Sequence, residues 1–141
     1  MTGSYSRLNR VSENIYLGAE TQASGILLLE AGKGSEVALN RTDACDTCIA
    51  LSDTDGVLLT ANRVSESARY GFVIRGAANT LLGNLVDDTT GVGIYVEGED
   101  NSLARNHVLR SSELDIYNVG ANDYERNRCA TSSGAPVDCP H

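Results

Sequence analysis

The chain reads as all-β: a solenoid of about five to six coils of stacked parallel strands. Three observations predict this. Asparagine recurs at Asn40, Asn62, Asn84, Asn106 and Asn127, at intervals of 22, 22, 22 and 21 residues. Each interval holds short runs with period-two alternation, punctuated by Gly, Asp, Ser and Thr, which is the strand signature. No stretch carries a helical period, and a repeat of 22 residues is too short for two packed helices and a turn.

Six blocks align in chain order. They are NRVSENIY from Asn9, SEVALNRT from Ser35, VLLTANRV from Val57, NTLLGNLV from Asn79, NSLARNHV from Asn101 and NDYERNRC from Asn122. The sixth residue of each is Asn, with Asn14 opening the series. The third is apolar or aromatic: Val11, Val37, Leu59, Leu81, Leu103 and Tyr124. The eighth is Tyr16, Thr42, Val64, Val86, Val108 or Cys129, so Thr42 stands out. A second run follows each Asn: GILLL at Gly25, CIAL at Cys48, GFVI at Gly71, GIYV at Gly93 and DIYN at Asp115. Strands of one coil should pair with those of the next at about 4.8 Å.

The asparagines have a physical task in such a coil. A sharp corner strands backbone N–H and C=O groups, and a side-chain amide can satisfy them. Identical amides can also bond one another up the stack as a ladder. Asn further tolerates the left-handed conformation that corners often need. The triplet Asn40-Arg41-Thr42 matches a glycosylation sequon. A ladder position turns its amide inward, so no glycan is expected there.

The N-x-V pattern followed by G-I-x-V, as in Asn84-Leu85-Val86 and Gly93-Ile94-Tyr95-Val96, resembles right-handed parallel β-helix proteins of the pectate-lyase-like superfamily. The NosD-like and generic β-helix-repeat members are the nearest in pattern. The resemblance runs from Asn9 to Cys129 and implies a right-handed parallel β-helix with an Asn ladder. It is specific for fold and not for activity, because the superfamily includes lyases, hydrolases, epimerases, phage spikes and proteins of no known activity. Complete members usually have more coils, which implies a minimal member or a C-terminal piece of something longer.

We read residues 1–141 as one β-helix domain, with 1–8 as lead-in and 130–141 as a capping tail. The step from Asn14 to Asn40 is 26 residues, so a bulged loop is expected around Ala19–Ser24. A bare N-terminal coil would offer an open strand edge for self-association. The formal net charge of −8 argues against nucleic acid as a partner. The absence of 18 consecutive apolar residues argues against a membrane span. No signal peptide is read in the opening MTGSYSRL. An even number of cysteines and a single lysine, Lys33, suit a secreted or extracytoplasmic protein. Cys129–Cys139 is expected as a disulfide pinning the tail across the last coil. Cys45 and Cys48 are either a short bridge or two free thiols. A thioredoxin-like role would need a βαβ setting that is not visible.

Three outer columns could carry function. The first follows each ladder Asn: Ile15, Arg41, Arg63, Leu85, His107 and Arg128. Of these, Arg41, Arg63 and His107 are candidates for binding an acidic polysaccharide, since arginine contacts carboxylate and sulfate bidentately. The second is apolar or aromatic: Leu27, Ala50, Val73, Tyr95 and Tyr117. Its tyrosines Tyr95 and Tyr117 could stack on sugar rings. The strip Leu27, Val73, Tyr95 and Tyr117 could instead form a homodimer contact. The third places Asp43, Glu66 and Asp88 in one column beneath Arg110, a candidate calcium site. The resemblance implies that such carboxylates, with a basic residue in the place of Arg69 or Arg110, could belong to a calcium-dependent polysaccharide lyase or C5-epimerase.

The reading that combines these features is a non-catalytic module presenting stacked side chains to a glycan or protein. No compact set of acid, base and orienting group is evident. The alternatives are a lyase or epimerase fragment, and a self-associating structural element.

Overall fold

The computed structural model describes residues 10–17 and 24–133. The described residues contain strands and no helix. The first coil holds β1 (Arg10–Ser12), β2 (Ile15–Leu17) and β3 (Ile26–Leu29). The second holds β4 (Glu36–Ala38), β5 (Arg41–Asp43) and β6 (Thr47–Asp55). The third holds β7 (Leu58–Thr60), β8 (Arg63–Ser65) and β9 (Tyr70–Ala77). The fourth holds β10 (Thr80–Leu82), β11 (Leu85–Thr89) and β12 (Val92–Glu97). The fifth holds β13 (Ser102–Ala104), β14 (His107–Ser111) and β15 (Leu114–Val119). Then come β16 (Asp123–Glu125) and β17 (Ser132–Ser133).

Every third strand joins the same sheet. Sheet one runs β1-β4-β7-β10-β13-β16, sheet two β14-β11-β8-β5-β2, and sheet three β17-β15-β12-β9-β6-β3. Neighbours pair in parallel, as a coil of about five turns requires. The expected parallel β-helix is the observed fold.

The inward stacks explain why this sequence coils. Sheet one contributes Val37, Leu59, Leu81 and Leu103, all fully buried. Sheet two contributes Val64, Val86 and Val108, with Thr42 buried in the same stack. Sheet three contributes two stacks, Ile49–Phe72–Ile94–Ile116 and Leu51–Ile74–Val96. The lining is narrow and aliphatic, and β-branched side chains pack well on a pleated surface.

The expected ladder stands at the corner between sheets one and two. The Nδ2 of Asn62 donates to Asn84 Oδ1 at 3.0 Å and to the Val37 carbonyl at 2.8 Å. Its backbone N–H donates to the same Asn84 oxygen at 3.0 Å. The pattern repeats from Asn14 through Asn40, Asn84 and Asn106 to Asn127. The left-handed residue at this corner is not the asparagine, as expected from sequence, but the residue before it. Glu13, Leu39, Ala61, Gly83, Arg105 and Arg126 have φ between 52° and 64°. The preceding residue makes the bend, and the asparagine then turns its amide inward to close it.

A second, shorter ladder occupies the corner between sheets three and one. Asn79 Nδ2 donates to Asn101 Oδ1 at 3.1 Å, and Asn101 Nδ2 to Asn122 Oδ1 at 3.0 Å. Below it the corner holds Val57, whose backbone N–H donates to Asn79 Oδ1 at 2.9 Å.

The second coil keeps its 22-residue period by two compensating changes. From Cys45 to Cys48 its corner is one residue shorter than from Ser67 to Gly71 in the next coil. An irregularity between Ser52 and Thr54 restores the residue, with Asp53 left-handed at φ 53°. Cys45 and Cys48 are bridged, which closes the shorter corner.

The upper end is closed by the chain itself. The buried Asp115 carboxylate accepts from the backbone N–H groups of Ala130 at 2.7 Å and Thr131 at 3.2 Å. β17 then adds to β15, and Arg128 bridges to His107. Cys129 is disulfide-bonded and buried. Cys139, its expected partner, lies outside the described residues, as do the lead-in and the rest of the tail. Most of the loop expected around Ala19–Ser24 lies outside them too.

Candidate functional site

The register confirms the first column. Ile15, Arg41, Arg63, Leu85, His107 and Arg128 pair in succession up sheet two. Its members differ in state. Arg41 is held by Asp43, Nη2 to Oδ2 at 3.1 Å, two residues along the same strand. Arg63 and Arg128 carry no ion pair among the described residues.

The third column is corrected. Asp43 pairs with Ser65, and Ser65 with Asp87. Glu66 and Asp88 occupy the next position, the left-handed turn residue, together with Ala44 and Arg110. Asp43 therefore stands one residue away from the column of Glu66 and Asp88. Ser65 donates its hydroxyl to Asp43. Arg110 straddles two carboxylates, Nη2 to Asp87 at 2.5 Å and Nε to Asp88 at 2.8 Å. Hydrogen bonding to Asp88, with the charges of Asp87 and Asp88, holds the Arg110 guanidinium above its ordinary pKa. The repulsion that a cation would relieve is thus answered by an arginine one coil up. No group of three or more His, Cys, Asp and Glu side chains comes together among the described residues.

The second column is also confirmed, as Leu27, Ala50, Val73, Tyr95 and Tyr117. It is not a uniform apolar strip. Leu27 is 52% exposed, whereas Val73 is buried. Upward it becomes aromatic and charged. The Tyr95 ring lies 5.5 Å from Tyr117 and 5.8 Å from Tyr70 between centroids. Arg75 sits 5.9 Å over the Tyr95 ring and pairs with Glu97 at 3.3 Å. Partial burial, then Glu97, pushes the Tyr95 phenol above its ordinary pKa, so its hydroxyl stays a donor, reaching Glu97 at 3.3 Å.

Beside these rings lies an open depression of about 280 Å³, lined by Ala68, Arg69, Tyr70, Thr90, Gly91 and Glu113. Arg69 lies 5.7 Å over the Tyr70 ring and 3.6 Å from Asp46. The place of Tyr70 in this cluster was not read from sequence. It precedes the aligned run GFVI by one residue, so the run's alternation did not assign it a face.

Comparison with known families settles the relationship. The family model described as periplasmic copper-binding protein (NosD) matches residues 1–135. The chain belongs to the NosD family. It is accordingly an extracytoplasmic β-helix module. No curated protein and no solved structure matches it significantly. Among the described residues no helix is long and apolar enough to cross a membrane.

The family description names copper, whose usual protein ligands are imidazole, thiolate and thioether. The described residues offer His107 alone as an imidazole. Cys45 and Cys48 are joined to each other, and Cys129 is disulfide-bonded. With no ligand cluster in reach, the described donor set does not fit a copper centre.

Proposed function

We propose that this NosD-family module is a non-catalytic binding element whose sheet-three face takes a glycan. One observation supports the reading above the others: Tyr70, Tyr95 and Tyr117 form a row of three partly exposed rings, and Tyr70 at its end lines a polar depression. Rings supply apolar area for the faces of sugars, and phenol, guanidinium and carboxylate groups supply hydrogen bonds at its rim. The charged groups nearby are engaged with one another, which suits recognition better than proton transfer. A glycan array probed with the native chain and with Tyr95→Ala/Tyr117→Ala tests this. The expected result is binding that the double substitution lowers at least about tenfold, as loss of two ring contacts implies. Equal binding by both proteins would end the reading.

A specific observation also favours self-association. Ile15, Leu17, Leu27 and Leu29, all in the first coil, are 73%, 67%, 52% and 62% exposed. Exposed aliphatics on two sheets of an edge coil favour a contact surface. Light scattering over a concentration series is expected to reveal a dimer that Leu17→Glu/Leu29→Glu abolishes. A monomer at every concentration would remove this second reading.

A further inference from the structure

The last two turns of the first corner carry a cationic patch that the rest of that corner lacks. Arg105-Asn106-His107 and Arg126-Asn127-Arg128 are successive corners, each with a buried ladder amide between two cationic or titratable side chains. The backbone aligns them in pairs. His107 bridges to Arg128, and the Arg128 N–H donates to the Asn106 carbonyl at 2.8 Å. Arg105 accordingly lies under Arg126, about one strand spacing of 4.8 Å away. In the coils below, the corner position of Arg105 is held by Glu13, Leu39, Ala61 and Gly83, none of them basic.

Ion pairing sets these residues, with Arg63, apart from the other arginines among the described residues. Arg10, Arg41, Arg69, Arg75 and Arg110 each meet a carboxylate on another residue of the coil wall. Arg105 and Arg128 are exposed and have no ion pair among the described residues. Arg126 has only its chain neighbour Glu125, at 3.5 Å, and its side chain remains 71% exposed. A chain with formal net charge −8 thus leaves an excess of positive charge on one small patch. Like charges held a strand apart disfavour the free state and favour an anion that bridges them.

We propose that Arg105, His107, Arg126 and Arg128 form an anion-binding site for an acidic polysaccharide. Guanidinium groups take carboxylate or sulfate oxygens two at a time, and a row of them matches a polymer bearing one anionic group after another. The row extends downward to Arg63, with Leu85 between as a neutral gap. Arg41, already occupied by Asp43, is not part of the site. The overall negative charge works against the long phosphate track of a nucleic acid, which needs an extended basic face. This site lies away from the tyrosine rings and does not depend on their role.

Isothermal titration with polygalacturonate (carboxylated), dextran sulfate (sulfated) and neutral galactan tests the proposal. Binding is expected for one or both acidic polymers and not for galactan, and the stronger one identifies the anionic group. Higher salt is expected to weaken it. Arg105→Glu/Arg128→Glu is expected to lower affinity by roughly tenfold or more, because a hydrogen bond to a charged group contributes on that scale. Arg41→Glu, at a position already paired with Asp43, is expected to bind as the native chain does. Circular dichroism on each variant confirms that these exposed changes leave the coil intact. The proposal is overturned if neither acidic polymer binds, if the double arginine variant binds as native, or if Arg41→Glu loses as much affinity as the double arginine variant. An oligonucleotide that binds as tightly as the polysaccharides would also overturn it.

Discussion

The two asparagine ladders use the same chemistry at different corners, yet among the described residues one has six rungs and the other three. The difference shows that such a ladder has a direction. Each amide oxygen accepts from the backbone N–H and the Nδ2 of the rung below, as Asn84 Oδ1 does from Asn62. A ladder can therefore begin above a residue that supplies only a backbone N–H. Val57 is such a residue, and its N–H is satisfied by Asn79. Starting a ladder on an apolar side chain leaves nothing orphaned, whereas removing a middle rung strands the donors beneath it. The first corner runs through every coil and holds the stack together. Among the described residues the second closes the upper coils, where Asn118 in the core also meets Asn122 at 2.7 Å.

That directionality sets the order of the expected effects. Asn84→Ala removes the acceptor for two buried donors of Asn62 and the donor to the Leu59 carbonyl at 3.0 Å. Two or more stranded buried groups cost about 3–5 kcal/mol together. Asn79→Ala strands chiefly the Val57 N–H, since its own bond to the Thr54 carbonyl is long at 3.4 Å. It should cost about 1–3 kcal/mol. Chemical denaturation of the two variants measures the difference directly. Equal losses would mean that burial alone, and not ladder position, sets the energy.

A buried polar group outside any ladder behaves in the opposite way. Thr42 sits in the aliphatic stack of sheet two, and its hydroxyl has no hydrogen-bond partner among the described residues. Val64, Val86 and Val108 hold the equivalent place in the coils above. Thr42→Val keeps the shape and deletes an unmet desolvation cost, so it is expected to stabilise by about 1 kcal/mol. A lower denaturation midpoint would show that the hydroxyl contributes to the native state.

How much was legible follows from the same geometry. The six-rung ladder and two outer columns could be read because their residues keep a fixed offset from an aligned block. The short ladder was hidden in plain view: Asn79, Asn101 and Asn122 head their blocks, as Asn9 heads the first, but Ser35 and Val57 interrupt the series. Asp43 was misplaced because it is 23 residues from Glu66, not 22, and one residue of slip moves a side chain to another position on the coil. Tyr70 lay just outside a run. Asp115, which ties down the upper end, breaks the glycine pattern of Gly71 and Gly93, and a single exception does not announce its partners on a returning segment.

Asn14→Ala is expected to have the smallest effect and gives the sharpest test of direction. Asn14 is the first rung, exposed, and donates its Nδ2 to Asn40 Oδ1 at 3.0 Å and to the Ser12 carbonyl at 3.1 Å. Among the described residues no asparagine of the ladder lies beneath it. After substitution, the backbone N–H of residue 14 still reaches Asn40 Oδ1, as it does now at 3.0 Å. The loss is one exposed amide's contribution, about 0.5 kcal/mol. The ratio of the Asn84 to the Asn14 penalty should then be large, although both residues make the same kind of bond. If the two substitutions cost the same, the rungs are independent hydrogen bonds, and the polarity inferred from the two corners has no energetic meaning.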